Sequence, residues 1–512
     1  MELKTTLLVI LDGWGVADPK KKGNAITPKT APHYFGWKKK FAYTELEASG
    51  AAVGLFKGQE GNSEAGHLNM GAGRVVKQDA LYISDSIADG TFFKNHAFHE
   101  ALHHVKKYKT AVHVMGLLSN HNSAHSSPEH LYALLDLFHA EGIQKVYLHL
   151  FTDGRDSGQH DAPTHLKLLR AHLRGNEKIA TVMGRLYAMD RNKIWDRTKE
   201  AYEAIVLGKG RAAPDAETAL TQAYNSGESD EFIRPTVIVE KGKPLATIKD
   251  NDVLFFFNLR SDRARQFTKA FVQPDFEKVN PDSFSRKHLP KNIRFVAMTD
   301  FGPDLPAIFT AYPSRDVTNS LVQVLCPRKQ MYIAESEKFA HVTYFLNGGY
   351  AQHFCDEQWV KIESDRVKSF AEKPEMKAKE ITDYVVKAIE AHRFEFIAVN
   401  YANADMAGHT GNVEAAEQAV AALDSELDRL ITTLVKEGGQ GIITADHGNV
   451  EEMINLKTGE TDSEHSVNPV PCFLLGVSSK RLRKGKLADV APTILKMMEN
   501  EKPKEMTGHP LF

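Results

Sequence analysis

Residues 5–15, TTLLVILDGWG, decide the fold class of this chain. Leu7 to Leu11 are apolar in unbroken succession, with no polar residue at alternate positions, so a strand here is buried on both faces. Such a strand needs cover on both sides, as in a mostly parallel α/β sheet. It runs into Asp12, followed by Gly13-Trp14-Gly15, which puts a carboxylate where the strand-end loops of an α/β sheet carry function. Outward from this stretch, segments 111–118, 145–151, 293–298, 395–400 and 441–444 also read as strands. Segments 128–141, 162–173, 377–392 and 414–437 read as helices. The last carries Ala415, Val420, Leu423, Leu427, Leu430, Ile431 and Leu434 near helical spacing and stops at Gly438-Gly439. The Gly-rich stretch 71–76 and the turn-rich stretch 300–314 are candidate hinges. With both as hinges, residues 77–311 form a second α/β domain inserted into a discontinuous outer domain, 1–76 with 312–512.

Composition narrows the class. The 512 residues hold 64 Lys+Arg against 66 Asp+Glu, a net charge of −2, which argues against a dominant nucleic-acid or anionic-membrane surface. No apolar run approaches the roughly 18 residues of a membrane span, and no separate apolar segment precedes the first strand as in a signal peptide. Cys326, Cys355 and Cys472 are scattered and odd in number, from which we expect a reducing compartment and no disulfide framework. The expectation is a cytoplasmic enzyme with a small-molecule substrate and neither a nucleic-acid nor a membrane partner.

Several strand-end motifs carry hard ligands. Besides Asp12 there are Asp405 and His409 in NADMAGHTG, four residues apart and so facing one way on a helical turn. Asp446-His447 follow the strand GIITA in TADHGN, and His465 lies in the turn-rich SEHSVNPVP. Singly, each has a common structural explanation, a helix cap for an aspartate or a surface position for a histidine. Together, shared ligation of two metal ions explains them better. Mixed carboxylate and imidazole donors suit Mn²⁺, Zn²⁺ or Fe²⁺ rather than Ca²⁺.

GNSEAGHLNMGAGRVV, residues 61–76, offers Ser63 at the start of a helix, where the dipole and free N–H groups favour an anion or a transferring phosphoryl group. A serine hydroxyl is a poor nucleophile until a base or a metal ion activates it. On local sequence alone, the simpler reading is that Ser63 caps the helix and Gly66 serves packing.

LVILDGWG, GNSEAGHLNMGAGRVV, FTDGRDS, VMGRLYAMDR, FFNLRSDRARQ, SEKFAHVTYFLNGG, NYANADMAGHTG, TADHGN and HSVNPVP, in this order from about residue 5 to about residue 498, together resemble the cofactor-independent phosphoglycerate mutases. The metal domain of that family is similar to the alkaline phosphatases. The resemblance implies an alkaline-phosphatase-like, mostly parallel sheet domain with a second α/β domain inserted, and a monomer. It implies interconversion of 3-phosphoglycerate and 2-phosphoglycerate through a phosphoserine on Ser63 and enclosed glycerate, with no 2,3-bisphosphoglycerate. Two divalent ions are implied, Mn²⁺ first, with Mg²⁺, Co²⁺ or Zn²⁺ as alternatives. One would be held by Asp405, His409 and His465, the other by Asp12, Ser63, Asp446 and His447. The resemblance also implicates Lys338 and His125 as phosphoryl and substrate contacts.

The inserted region supplies Arg155 with Asp156 in DGRDS, Arg185 and Arg191 in MGRLYAMDR, and Arg260 and Arg263 in NLRSDRAR. An arginine fork binds carboxylate or phosphate oxygens bidentately, and a phosphoglycerate offers both. Surface salt bridges are the usual fate of arginines, but these sit in Gly- or Asn-flanked motifs of a near-neutral chain, and the resemblance supports substrate binding. Asp156 is the candidate acid/base for the glycerate hydroxyls. One stretch departs from the family pattern LSDGGVHSH: residues 118–130 read LSNHNSAHSSPEH, one residue longer and without the glycines. Counting back from His130 assigns the family histidine to His125; counting forward from Ser119 reaches Ala124. Ser127, Ser261 and Thr152 are further departures. The alternative activity is a metal-dependent phosphomonoesterase or phosphopentomutase of the same superfamily. A catalytically dead relative is a third reading, against which the intact serine and ligand set stand.

Overall fold

In the computed structural model the Thr6–Leu11 strand is buried along its whole length. The structure describes residues 4–121, 123–305, 308–315, 317–478 and 481–512. The chain divides into two compact units, one ending at Gln78 and resuming at Arg315, the other running from Asp79 to Ser314.

The first unit is built on an eight-stranded sheet. Its order is Gln358–Ile362, Gln330–Glu335, Phe396–Tyr401, Thr6–Leu11, Gln440–Thr444, Val470–Leu475, Ala42–Glu47 and Gly485–Lys486. The first five strands run parallel, and Val470–Leu475 is antiparallel to both neighbours. Parallel neighbours leave Thr6–Leu11 no polar face, which explains its unbroken apolar sequence. The long helix Val413–Lys436 buries Leu423, Leu427, Leu430, Ile431 and Leu434; the Asn412 side chain caps its start by accepting from Ala415 N.

The second unit has its own sheet, ordered Ile308–Tyr312, Arg294–Thr299, Val253–Phe256, Val112–Leu118, Val146–Thr152, Glu177–Gly184, Thr236–Glu240 and Arg211–Ala213, with Lys243–Pro244 paired to Thr236–Glu240. All pairs are parallel except those of Thr236–Glu240 with Glu177–Gly184 and with Lys243–Pro244. Among the described residues no helix is long and apolar enough to cross a membrane.

The stretch 300–314 contains the edge strand Ile308–Tyr312, and Gly71 and Ala72 complete the helix Ser63–Ala72, which ends at Gly73 with φ +61°. One expectation needs correction. The cysteines are not all free: Cys326 and Cys355 form a disulfide with Cα atoms 5.6 Å apart. They precede Gln330–Glu335 and Gln358–Ile362, parallel neighbours that enter the sheet from the same end, so their leading segments lie together despite a separation of 29 residues.

Candidate active site

The expected ligands of the first unit collect at the carboxyl ends of its parallel strands. Asp12 follows Thr6–Leu11, Asp446 follows Gln440–Thr444, and Asp405 lies on the helix Asn403–Gly408 just after Phe396–Tyr401. Gly13 makes their approach possible. Its φ is +74°, and a Cβ there would lie 2.7 Å from the Asp405 Cα, while Asp405 N donates to Asp12 O at 3.0 Å.

Ser63 is the first residue of the helix Ser63–Ala72, but it is not the cap: the Asn62 side chain accepts from Ala65 N at 2.8 Å. The Ser63 hydroxyl is therefore free to face the site. Its Oγ lies 3.2 Å from Asp12 Oδ1, 3.0 Å from His447 Nε2 and 2.8 Å from Lys338 Nζ. Lys338 Nζ is also 2.6 Å from Asp12 Oδ1 and 2.6 Å from Asp405 Oδ2. Gly66 serves packing, as expected: a Cβ there would lie 2.6 Å from Asp446 O.

The hydrogen bonds of three histidines orient their lone pairs. Nδ1 of His409 faces Ser463 O at 3.0 Å, Nδ1 of His465 faces Gly61 O at 2.8 Å, and Nδ1 of His447 faces Gly448 O at 3.2 Å. Carbonyl oxygens only accept, so each Nδ1 carries the hydrogen and each neutral imidazole turns an Nε2 lone pair inward. Nε2 of His409 and of His465 lie 3.1 Å apart, each 3.3 Å from Asp405 Oδ1. His447 Nε2 stands 3.5 Å from Asp446 Oδ2, 3.6 Å from Asp12 Oδ1 and 3.9 Å from Asp405 Oδ1. Asp446 Oδ2 is buried and receives no hydrogen bond among the described residues. Inward-turned lone pairs and converging carboxylate oxygens fit divalent cations. Single ligand atoms of Asp405, His447 and His465, and of Asp12, Asp446 and His447, each lie within 4.8 Å of one another.

Electrostatics agree. Burial and the charge of Asp446 push Asp12 up to about 7, against the pull of Lys338. Burial opposes charge on Asp405 and on Lys338 as well, yet Lys338 holds Asp405 well below the usual carboxylate range, and Asp12 and Asp405 raise Lys338. Burial holds His447 down to about 4. Burial also works against His465, but Asp405 raises it to about 9, so that without a cation a proton takes its place.

In the second unit the expected substrate residues also lie past strand ends. Asp156 Oδ2 accepts from Ser123 Oγ at 2.7 Å, and its Oδ1 lies 3.1 Å from Arg185 Nη1. Burial opposes its charge, but Arg185 and the Ser123 hydroxyl hold its pKa low. His125 is buried, and desolvation followed by the charge of Arg185 lowers it to about 4. Arg191 pairs with Asp262 at 2.6 Å, Arg260 Nε lies 3.7 Å from the same carboxylate, and Arg263 donates to Met189 O at 3.4 Å. Arg155 turns to Glu231 at 3.6 Å, with its side chain half exposed.

Sequence reasoning missed the residues that support these. His67 donates Nδ1–H to Ser63 O at 2.9 Å, and Asn400 donates to His67 Nε2 at 3.0 Å and to Asp12 Oδ2 at 2.7 Å. Asn449 donates to Asp405 Oδ1 at 3.3 Å. Asp153 accepts from Arg185 and from Ser119 Oγ. His67 stands one helical turn past Ser63, which is a readable signal; Asn400 becomes a neighbour of Asp12 only through the strand pairing Ile10↔Asn400.

Comparison with known proteins gives a consistent answer. The family model for the BPG-independent PGAM N-terminus matches residues 83–303, and that for type I phosphodiesterase / nucleotide pyrophosphatase matches residues 300–501. A 2,3-bisphosphoglycerate-independent phosphoglycerate mutase of Methanosarcina barkeri is 47% identical, covering 99% of this chain and 98% of its own. One from Chloroflexus aggregans is 44% identical with the same coverage. A solved phosphoglycerate mutase of Leishmania mexicana, studied at low cobalt concentration, aligns over 100% of this chain and 98% of its own, with a TM-score of 0.78 and 28% identity.

Proposed function

This chain belongs to the 2,3-bisphosphoglycerate-independent phosphoglycerate mutases, and from that premise we propose that it interconverts 3-phosphoglycerate and 2-phosphoglycerate through a phosphoserine on Ser63. The observation that carries this reading is the position of Ser63 Oγ at a helix N-terminus, within hydrogen-bond reach of Lys338, Asp12 and His447.

The chain's own residues have distinct tasks in it. Lys338 Nζ orients the Ser63 oxygen and brings positive charge to the oxygens of the arriving phosphoryl group. Asp12 Oδ1 is the nearby carboxylate acceptor for the Ser63 proton. The helix dipole favours the negative charge gathered at Ser63. Asp405, His409 and His465 would hold one divalent ion, and Asp12, Ser63, Asp446 and His447 a second, Mn²⁺ first; bound there, they would supply Lewis-acid stabilisation of phosphoryl oxygens and a lower pKa for the hydroxyl.

Arg185, Arg191, Arg260 and Arg263, with Arg155 and His125, bind the carboxylate and phosphate of the substrate and keep glycerate between the two transfers. Asp156 exchanges protons with the glycerate 2- and 3-hydroxyls, so that each oxygen serves in turn as leaving group and acceptor. A phosphatase shares the first transfer and admits water to the second; holding glycerate is what makes a mutase. No bisphosphoglycerate primer enters this scheme. Ser63→Ala abolishes turnover while the far-UV circular dichroism spectrum and melting temperature stay near those of the unsubstituted protein. Activity retained by that variant contradicts the assignment.

A further inference from the structure

Glu451 is completely buried in the first unit and takes no part in the scheme above. Its Oε2 accepts from the backbone N–H of Gly15 at 2.9 Å and of Asn449 at 2.9 Å. Its Oε1 accepts from Ser466 Oγ and from Asn468 Nδ2, the latter at 3.0 Å. All four donors are neutral, and each lies on a stretch that carries an expected ligand. Gly15 is three residues past Asp12, Asn449 is two past His447, and Ser466 adjoins His465. Asn449 itself donates to Asp405 Oδ1. Two glycines make room for the carboxylate: a Cβ on Gly15 would lie 2.2 Å from Glu451 Cδ, and one on Gly448 would lie 2.3 Å from Oε1. The three stretches are also tied directly, by Val16 N to Pro469 O at 2.8 Å, Val450 N to Gly13 O at 3.2 Å and Ser466 N to Gly448 O at 3.0 Å.

We infer that Glu451 is a positioning residue that locks the Asp12, Asp446-His447 and His465 loops in register and thereby sets the affinity of the site for divalent cations. The inference rests on the reading of those residues as metal ligands. An ionised carboxylate is an acceptor with room for four hydrogen bonds on two oxygens, which is the number it receives here. A glutamine of the same shape turns an amide N–H₂ toward two of those donors and releases one pair of loops.

The test uses the full chain stripped of metal and titrated with Mn²⁺, with the free ion followed by its electron paramagnetic resonance. Glu451→Gln is expected to bind Mn²⁺ about 10- to 100-fold more weakly than the unsubstituted chain, the usual cost of losing a partner behind the ligands. Ser466→Ala, which removes one donor and leaves the carboxylate, is expected to weaken binding several-fold and decides the matter if Glu451→Gln does not fold. The visible absorption of the Co²⁺-loaded variants is expected to shift, since it reports ligand geometry, which a loss of global stability alone does not move. Binding within twofold of the unsubstituted chain and an unchanged Co²⁺ spectrum in a folded variant would overturn the inference. If the unsubstituted chain itself bound no Mn²⁺, the metal reading beneath it would fall as well, and that outcome is distinct because it precedes any substitution.

Discussion

At the scale of single residues, the Ser123 hydroxyl tunes the acid/base candidate. It donates to Asp156 Oδ2 at 2.7 Å and accepts from the backbone N–H of His125 at 3.1 Å, so one side chain fixes both the carboxylate and the turn that carries the histidine. Arg185 and His125 are the charged and titratable groups that also act on Asp156. The sign is definite: a donor to the carboxylate favours its ionised form, so removing it raises the pKa. Ser123→Ala is expected to move the acidic limb of the kcat/KM–pH profile to higher pH and leave the alkaline limb in place. An unmoved acidic limb would show that the Ser123 bond does not govern the titration. Ser123 lies in the one stretch that departs from the family pattern, and its sequence marks the departure without its purpose. Ser63 teaches the same lesson in reverse. Local sequence makes it a helix cap, yet Asn62 accepts from Ala65 N, and the hydroxyl's partners come from residues 12, 338 and 447, far along the chain.

At the scale of elements, a row of buried polar groups crosses the second sheet. His149 Nδ1 lies 3.0 Å from Thr181 Oγ1, His149 Nε2 lies 2.9 Å from His113 Nδ1, and His113 Nε2–H donates to Asp252 Oδ2 at 3.2 Å. Burial, then the neighbouring His113, lowers the His149 pKa well below its ordinary value. The native state thus resists a proton that the unfolded chain accepts below pH ~6.5, so stability is lost as pH falls. The expected loss is about 1.4 kcal/mol per pH unit below that point for His149. Hydrogen exchange of the Val146–Thr152 strand, compared at pH 7 and pH 5.5 after correction for intrinsic rates, checks it; protection that is the same at both would count against the argument. The strands and helices themselves were legible, because runs such as 7–11 and the spacing within 414–437 admit few other readings. Ile308–Tyr312 was not, since Pro306 and Gly302 nearby read as turn and its partner strand is needed to see it. The Cys326–Cys355 pair was equally hidden, because adjacency of parallel strands is a property of the sheet and not of local spacing.

At the scale of the whole molecule, each unit offers half of what a mutase requires. One gathers Ser63, proposed as the nucleophile, and the groups proposed to hold cations; the other gathers the arginines proposed to bind a phosphorylated carboxylate. Retention of glycerate separates isomerisation from hydrolysis, and the arginines are the groups to perturb. Arg191→Ala and Arg260→Ala are expected to raise KM about tenfold or more and to increase the ratio of inorganic phosphate released to 2-phosphoglycerate formed. Parallel assays of both products check this, and a ratio unchanged in both variants would remove these arginines from glycerate retention. The motifs of Asp12, Asp405-His409 and Asp446-His447 were legible because each follows a strand beside glycine, and that of His465 because it lies in a turn-rich stretch. Glu451, Asn400 and Asp153 were not, because what they do depends on loops and strands meeting in space. The measurement that tests the central claim most directly is conversion of 3-phosphoglycerate by metal-stripped protein, with 2,3-bisphosphoglycerate absent and Mn²⁺ then restored. The account predicts no 2-phosphoglycerate before Mn²⁺ is added and steady formation after it. Release of phosphate without 2-phosphoglycerate, or isomerisation that needs the bisphosphate primer, would contradict it.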